Sequence, residues 1–170
     1  MDKRVLLALG VLTVLVAVFA YLNMDNLGDR MQAQREAEMY LEMGGEEVAT
    51  LDFDIIQNLS EREFTETLRS SDGSEENHTY TGVPLKEIID HYELSLDEVE
   101  NIVTEAADGY AVALTVDEVR QEDNVYIVYK KDGEYLATRE DGGAGPYQLV
   151  IREDEFGQRW NKYLMRITIE

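Results

Sequence analysis

Gly157-Gln158-Arg159-Trp160-Asn161-Lys162-Tyr163-Leu164-Met165-Arg166-Ile167 ends in an alternation of apolar and polar residues that continues to Ile169. Period-two patterning is the mark of a half-buried strand. Upstream, Asp141-Gly142-Gly143-Ala144-Gly145-Pro146 reads as a glycine-rich loop feeding a second strand over residues 148–152. Two basic residues, Arg159 and Lys162, therefore fall between two strands and close to a glycine loop. Toward the N-terminus the same period recurs.

Residues 48–55 alternate, as do residues 64–68, and both stretches are expected to be strands. Ser71-Asp72-Gly73-Ser74 reads as a turn. Tyr80-Thr81-Gly82-Val83-Pro84 leads into a short helix whose buried face is Leu85, Ile88 and Ile89. Pro84 suits the first turn, where a missing N–H costs nothing. Ser95 with Glu98, and Thr115 with Glu118, have the spacing of capping boxes and predict two more short helices. Strands are expected at 101–104 and 110–114 around the Asp108-Gly109 turn. A hairpin is expected from 125–129 and 134–136 across Lys131-Asp132-Gly133. These elements predict an α+β domain, mainly β with short helices, over residues 46–170.

The N-terminal part is of another kind. Asp2-Lys3-Arg4 precedes an apolar run over residues 5–22, softened only by Gly10 and Thr13. Eighteen helical residues span roughly 27 Å, close to the hydrocarbon thickness of a bilayer. Residues 1–24 are thus expected to be one transmembrane helix serving as a membrane anchor. Lys3 and Arg4 before it, with Asp25 and Asp29 after it, orient the remainder outside the cytoplasm. The alternative is a signal peptide cleaved near Val18-Phe19-Ala20, which yields a secreted protein. Residues 25–45 are expected to be a helical stalk or linker: Ala33, Ala37 and Leu41 recur at four-residue spacing over 29–43, and Gly44-Gly45 ends the pattern. The competing reading is a first helix packed on the domain.

Acidic residues number 36 against 15 basic ones, for a formal net charge of −21. Such a field repels nucleic acid and anionic lipid head groups, so neither is expected as a partner. It equally suits a surface adapted to salt. Cysteine is absent, which removes disulfides, zinc-thiolate sites, iron–sulfur clusters, cysteine nucleophiles and lipoprotein anchoring. His78 and His91 have no second ligand at helical spacing, so no metal site is assigned. Asp52 and Asp54 fall on one face of the expected strand. No P-loop or G-x-S-x-G motif occurs, and no catalytic residue is assigned.

Four segments, in order, carry a resemblance. They are Tyr80-Thr81-Gly82-Val83-Pro84-Leu85, Ala107-Asp108-Gly109-Tyr110, Gly143-Ala144-Gly145-Pro146-Tyr147-Gln148-Leu149-Val150, and the Gly157 to Ile167 stretch quoted above. Together they resemble the sulfite-oxidase-type molybdopterin-binding domain over roughly residues 46 to 170. The resemblance implies that fold and a molybdopterin cofactor, whose metal is ligated in the family by a cysteine thiolate. This chain supplies no such ligand, and molybdenum–thiolate ligation is excluded. By the same resemblance Arg159 and Lys162 match the basic residues near the pterin and its phosphate, and Gly143 and Gly145 stand in the adjoining loop. Backbone N–H groups of residues 142–145 are expected to add donors for an anion. The competing expectation is that the basic pair meets surface carboxylates and the glycines only shape a turn. The resulting reading is a membrane-anchored, extracytoplasmic binding or accessory module without its own redox centre, taking a small anionic molecule or a partner protein. Its rivals are a molybdopterin-dependent oxidoreductase domain that holds the cofactor by pterin contacts, and a structural envelope protein.

Overall fold

The computed structural model describes residues 3–69 and 73–170, leaving aside the side chains of residues 20 and 22–27. Helix α1 (Lys3–Glu36) carries the apolar run, and its described apolar side chains, such as Leu7 and Phe19, stand exposed. Among the described residues no helix is long and apolar enough to cross a membrane; Leu22 of the run is one of those left aside.

The expected helix over 29–43 stops at Glu36. Residues Met39–Met43 form strand β1 instead. Met39, Leu41 and Met43 also satisfy a period of two, and Met39 and Leu41 are fully buried. β1 pairs in parallel with the last strand of the chain, Leu41 opposite Ile167. That tertiary pairing overrides the local helical spacing. Gly44 and Gly45, both at positive φ, turn the chain into β2 (Glu46–Leu51). The stretch 48–55 is a strand only to Leu51. Asp52 then caps α2 (Phe53–Asn58) by accepting a hydrogen bond from the Ile55 N–H at 2.8 Å, so Asp52 and Asp54 begin a helix and do not share a strand face.

Next come β3 (Arg62–Arg69), β4 (Glu75–Pro84) and α3 (Leu85–His91). Ser71 and Asp72 of the expected turn lie outside the described residues. No helix follows Ser95. Its hydroxyl accepts from the Asp97 N–H, and Glu98 adopts a φ of 67°, which a helix does not permit. Strands β5 (Asn101–Ala106) and β6 (Ala111–Thr115) form the expected hairpin. Helix α4 (Val116–Arg120) has the full Thr115–Glu118 capping box. The chain closes with β7 (Val125–Lys131), β8 (Glu134–Tyr135), β9 (Gln148–Ile151), a 3-10 turn at Gly157–Arg159, and β10 (Leu164–Ile169).

The strands make two five-stranded sheets. One runs β2-β1-β10-β5-β6, and the other runs β3-β4-β7-β8 with β9 also on β7. One apolar cluster joins residues of both sheets, including Leu41, Ile102 and Ile167 from the first and Tyr80, Ile127 and Leu149 from the second. Five consecutive residues of β7, Val125 to Tyr129, are buried, as a strand covered on both faces requires. Gly82 sits at a shift in the β4–β7 register, where a side chain would strike the backbone of Ile127 and Val128. The architecture is thus mixed, mostly β with short helices.

Candidate functional site

The two-residue strand β8, the loop after it and the C-terminal part of α1 enclose a cleft of about 420 Å³. Arg30 contributes from α1, Lys131 from the end of β7, Gly142 and Gly143 from the glycine loop, and Lys162 from the segment before β10. Tyr80, Tyr135 and Gln148 complete its polar lining, with Asp132 and Glu134 as its two carboxylates.

Both carboxylates are engaged. Arg30 Nη1 reaches Glu134 Oε2 at 2.7 Å. Asp132 accepts from the Thr79 backbone N–H at 2.9 Å and meets His78 Nδ1 at 2.8 Å, contacts that hold its carboxyl below the usual range. Lys131 and Lys162 have no ion-pair partner among the described residues, and the Gln148 side chain, 5% exposed, has no hydrogen-bond partner there. The Tyr80 phenol is pushed up by burial first, then by Asp132, Glu76 and Glu66, so it remains a donor. This is unusual charge placement for an acidic protein. Arg62, Arg69, Lys86, Arg120, Arg152, Arg159 and Arg166 are each bound to a carboxylate. Among the described residues, the basic side chains of the domain without one are Lys130, Lys131, Arg139 and Lys162, on the β7–β8 hairpin and the segments beside the cleft. Lys130 lies over the rings of Tyr129 and Tyr135, and Arg139 over that of Tyr163.

Of the residues expected from the sequence, Lys162 and Gly143 line the same cleft. Arg159 does not line it. Its guanidinium bridges Asp154 and Glu118, and the bond to Glu118 raises its already high pKa further. Gly145 lines a separate cavity of about 370 Å³ with Tyr147, Tyr163 and Arg139. The loop's N–H groups are largely committed: Gly142 donates to Arg139 O, Gly143 to Thr138 O and Gly145 to Ala137 O. Side chains at Gly143 or Gly145 would strike Ala137 and Leu136. Glycine is required here so that two backbone segments can pack closely, and the loop is not an open nest of donors. Arg30 and Lys131 were missed by sequence reasoning. Arg30 falls in the expected stalk, and Lys131 in the expected hairpin turn. The available signal was Lys130-Lys131, the only adjacent basic pair after Lys3-Arg4.

Buried polar groups mark the junction of α1 with the domain. The Gln34 amide and the Tyr147 hydroxyl lie near one another without a well-formed hydrogen bond. His78 is clamped between Asp132 and Glu76, and His91 packs on Tyr92. Among the described residues no cluster of His, Asp and Glu suits a metal ion.

The profile of the oxidoreductase molybdopterin binding domain matches residues 15–170. The chain belongs to that family. This molybdopterin-binding domain is of the sulfite oxidase type, and its fold is also that of a solved structure, the sulfane dehydrogenase SoxCD from Paracoccus pantotrophus. The two share 17% identity at a TM-score of 0.66, over 80% of this chain and 38% of that one, a likeness of fold alone. This chain therefore spans well under half the length of that neighbour. No curated protein matches the sequence. The family's cofactor fits the residues only in part. The chain supplies no thiolate for molybdenum, Arg159 is taken up by carboxylates, and the loop N–H groups bond within the protein. Lys162, Lys131 and Gln148 are what remains to meet an anionic group.

Proposed function

We propose that this member of the family is a membrane-anchored, extracytoplasmic binding module whose cleft takes a small anion, and that it has no molybdenum redox catalysis of its own. The observation that carries the reading is the convergence of Lys131, Lys162 and Gln148 on one cleft, with no ion pair to either lysine among the described residues, in a chain of net charge −21. Unpaired ammonium groups on such a surface would ordinarily find carboxylates, and every basic residue on the far strands has done so. Long-range attraction does not hold an anion here, because the overall field opposes it. Short, charge-assisted hydrogen bonds do, and they are strongest where water is partly excluded. Anchoring rests on the apolar run, the charges flanking it, and the exposed apolar side chains of α1.

The test is calorimetric titration of the full chain with pyrophosphate and with a pterin monophosphate. Binding that Lys131→Ala and Lys162→Ala each weaken supports the reading. Binding that neither variant weakens places the site elsewhere. Family membership favours a second reading, an oxidoreductase domain that holds the cofactor through its pterin. Stoichiometric molybdenum in protein made by a cofactor-producing host would establish that one instead.

A further inference from the structure

The cavity that Gly145 lines differs in kind from the anion cleft. Its volume of about 370 Å³ is that of a small-molecule site. Its walls come from segments far apart in the chain: the link between α1 and β1, the loop after β8, and the entry to β10. Pro146, Tyr147, Leu164 and Met165 give it an apolar lining, with Tyr147 and Leu164 buried. Three charged side chains also line it. Glu38, Arg139 and Glu140 are each exposed, and none forms an ion pair among the described residues. Arg62, Arg120 and Arg159, by contrast, are each bound to a carboxylate. A guanidinium and two carboxylates that border one cavity without meeting are spaced for a molecule that brings the missing charges of both signs.

Arg139 is held ready for such a molecule. Its guanidinium carbon lies 5.6 Å from the centre of the Tyr163 ring. That contact covers one face of the guanidinium and leaves its N–H edge for the forked geometry a carboxylate prefers. Tyr163 has a φ of 56°, in the left-handed region that a bulky residue rarely enters. Its N–H donates to Ala144 O and its carbonyl accepts from the Ala107 N–H, both at 2.9 Å. Strain of this kind persists where the surroundings enforce it, and here it supports the ring on which Arg139 rests.

We infer that this cavity binds a free α-amino acid with an apolar side chain. The carboxylate goes to Arg139, the ammonium to Glu38 and Glu140, and the side chain to the apolar lining. Such a molecule has no net charge, so the field of a chain at −21 neither draws nor repels it from a distance. Recognition is left to short, charge-assisted contacts. A simple carboxylate would face that field and two like charges, and a simple amine would leave Arg139 unused. The inference stands apart from the anion-binding reading, because neither Lys131, Lys162 nor Gln148 lines this cavity.

The experiment is calorimetric titration of the full chain, in detergent micelles, with L-leucine and L-phenylalanine. Glycine, N-acetyl-L-leucine and L-leucinamide are run beside them, lacking respectively the side chain, the ammonium and the free carboxylate. At least one of the two apolar amino acids should bind, and the three controls should bind at least about tenfold more weakly, the worth of one contact to a charged group. Arg139→Gln should weaken binding by a similar factor, as should Glu38→Gln with Glu140→Gln together, whereas Lys131→Ala should leave it unchanged. All of the substituted side chains in the cavity are exposed, circular dichroism verifies each fold, and the control ligands test the same chemistry on the wild type. If neither amino acid binds, the inference is overturned. Binding indifferent to Arg139→Gln or to the paired glutamate substitutions overturns it as well, as does any control ligand that binds as tightly. Loss of amino-acid binding in Lys131→Ala would move the ligand to the anion cleft and likewise overturn it.

Discussion

Arg159 Nη2 lies 2.7 Å from Glu118 Oε1, and the same Glu118 closes the capping box of α4 by accepting from the N–H and the hydroxyl of Thr115. One carboxylate thus fixes both the start of a helix and the segment Asp154 to Arg159. Arg159→Ala is expected to cost about 1 kcal/mol, because the pair is partly exposed and solvent screens it. Urea denaturation at pH 7 measures this, and a double-mutant cycle with Glu118→Gln isolates the coupling.

The same contact predicts a pH dependence. Burial pushes the Glu118 carboxyl up, but the hydrogen bonds from Arg159 and Thr115 outweigh it and hold the group below its ordinary value. Its folded pKa is therefore below the unfolded one, so it adds stability above the unfolded value of about 4.3, and that contribution is lost as pH falls through the folded value. The stability gap between the wild type and Glu118→Gln should be full at neutral pH and should close in acid. Urea midpoints across this range provide the check.

Asn161 is fully buried, and its Nδ2 donates to Thr104 O at 3.1 Å and to Tyr110 O at 3.3 Å. It pins the segment that carries Lys162 to the β5–β6 hairpin. Asn161→Leu should destabilise the fold by about 1–3 kcal/mol, the cost of leaving buried carbonyls unpaired. Thermal unfolding measures the loss. Lys162→Ala should leave the melting temperature nearly unchanged, because its side chain is exposed and makes no ion pair among the described residues.

Gly143→Ala is expected to lower stability by about 1–3 kcal/mol, since the new methyl group would strike the backbone of Ala137. Gly142→Ala meets no neighbour, but its φ of 75° disfavours any side chain, so a smaller loss of about 1 kcal/mol is expected. Chemical denaturation of the two variants side by side ranks them.

Local pattern sufficed where an element's own residues determine it. The β5–β6 and β7–β8 hairpins, the Thr115 cap and the final strand are all legible from alternation, turn residues and capping spacing. Where tertiary partners decide, the pattern was ambiguous. Residues 39–43 satisfy a helical spacing through Leu41 and a strand spacing through Met39 and Leu41, and only the distant Ile167 resolves the choice. Ser95 and Glu98 have the letters of a capping box, but the backbone at Glu98 turns left-handed. At the site, residue type identified Lys162 and Gly143. It could not reveal that Arg159 is bound by Glu118, 41 positions away in the chain, or that Arg30 and Lys131 meet across a cleft.

The parallel pairing of β1 with β10 sets an order of events during synthesis. β1 finds β2 as soon as both have left the ribosome, but its other edge stays bare until the final strand arrives. Glu42 waits for Thr168, which is 126 positions further along. β5 meanwhile forms its hairpin with β6 and presents the opposite edge of the same gap. A nascent chain in which β10 has not yet emerged thus carries two open strand edges, both templates for pairing with a neighbouring chain. The six residues of β10 are then the closure of the sheet, and chains truncated before Leu164 should aggregate.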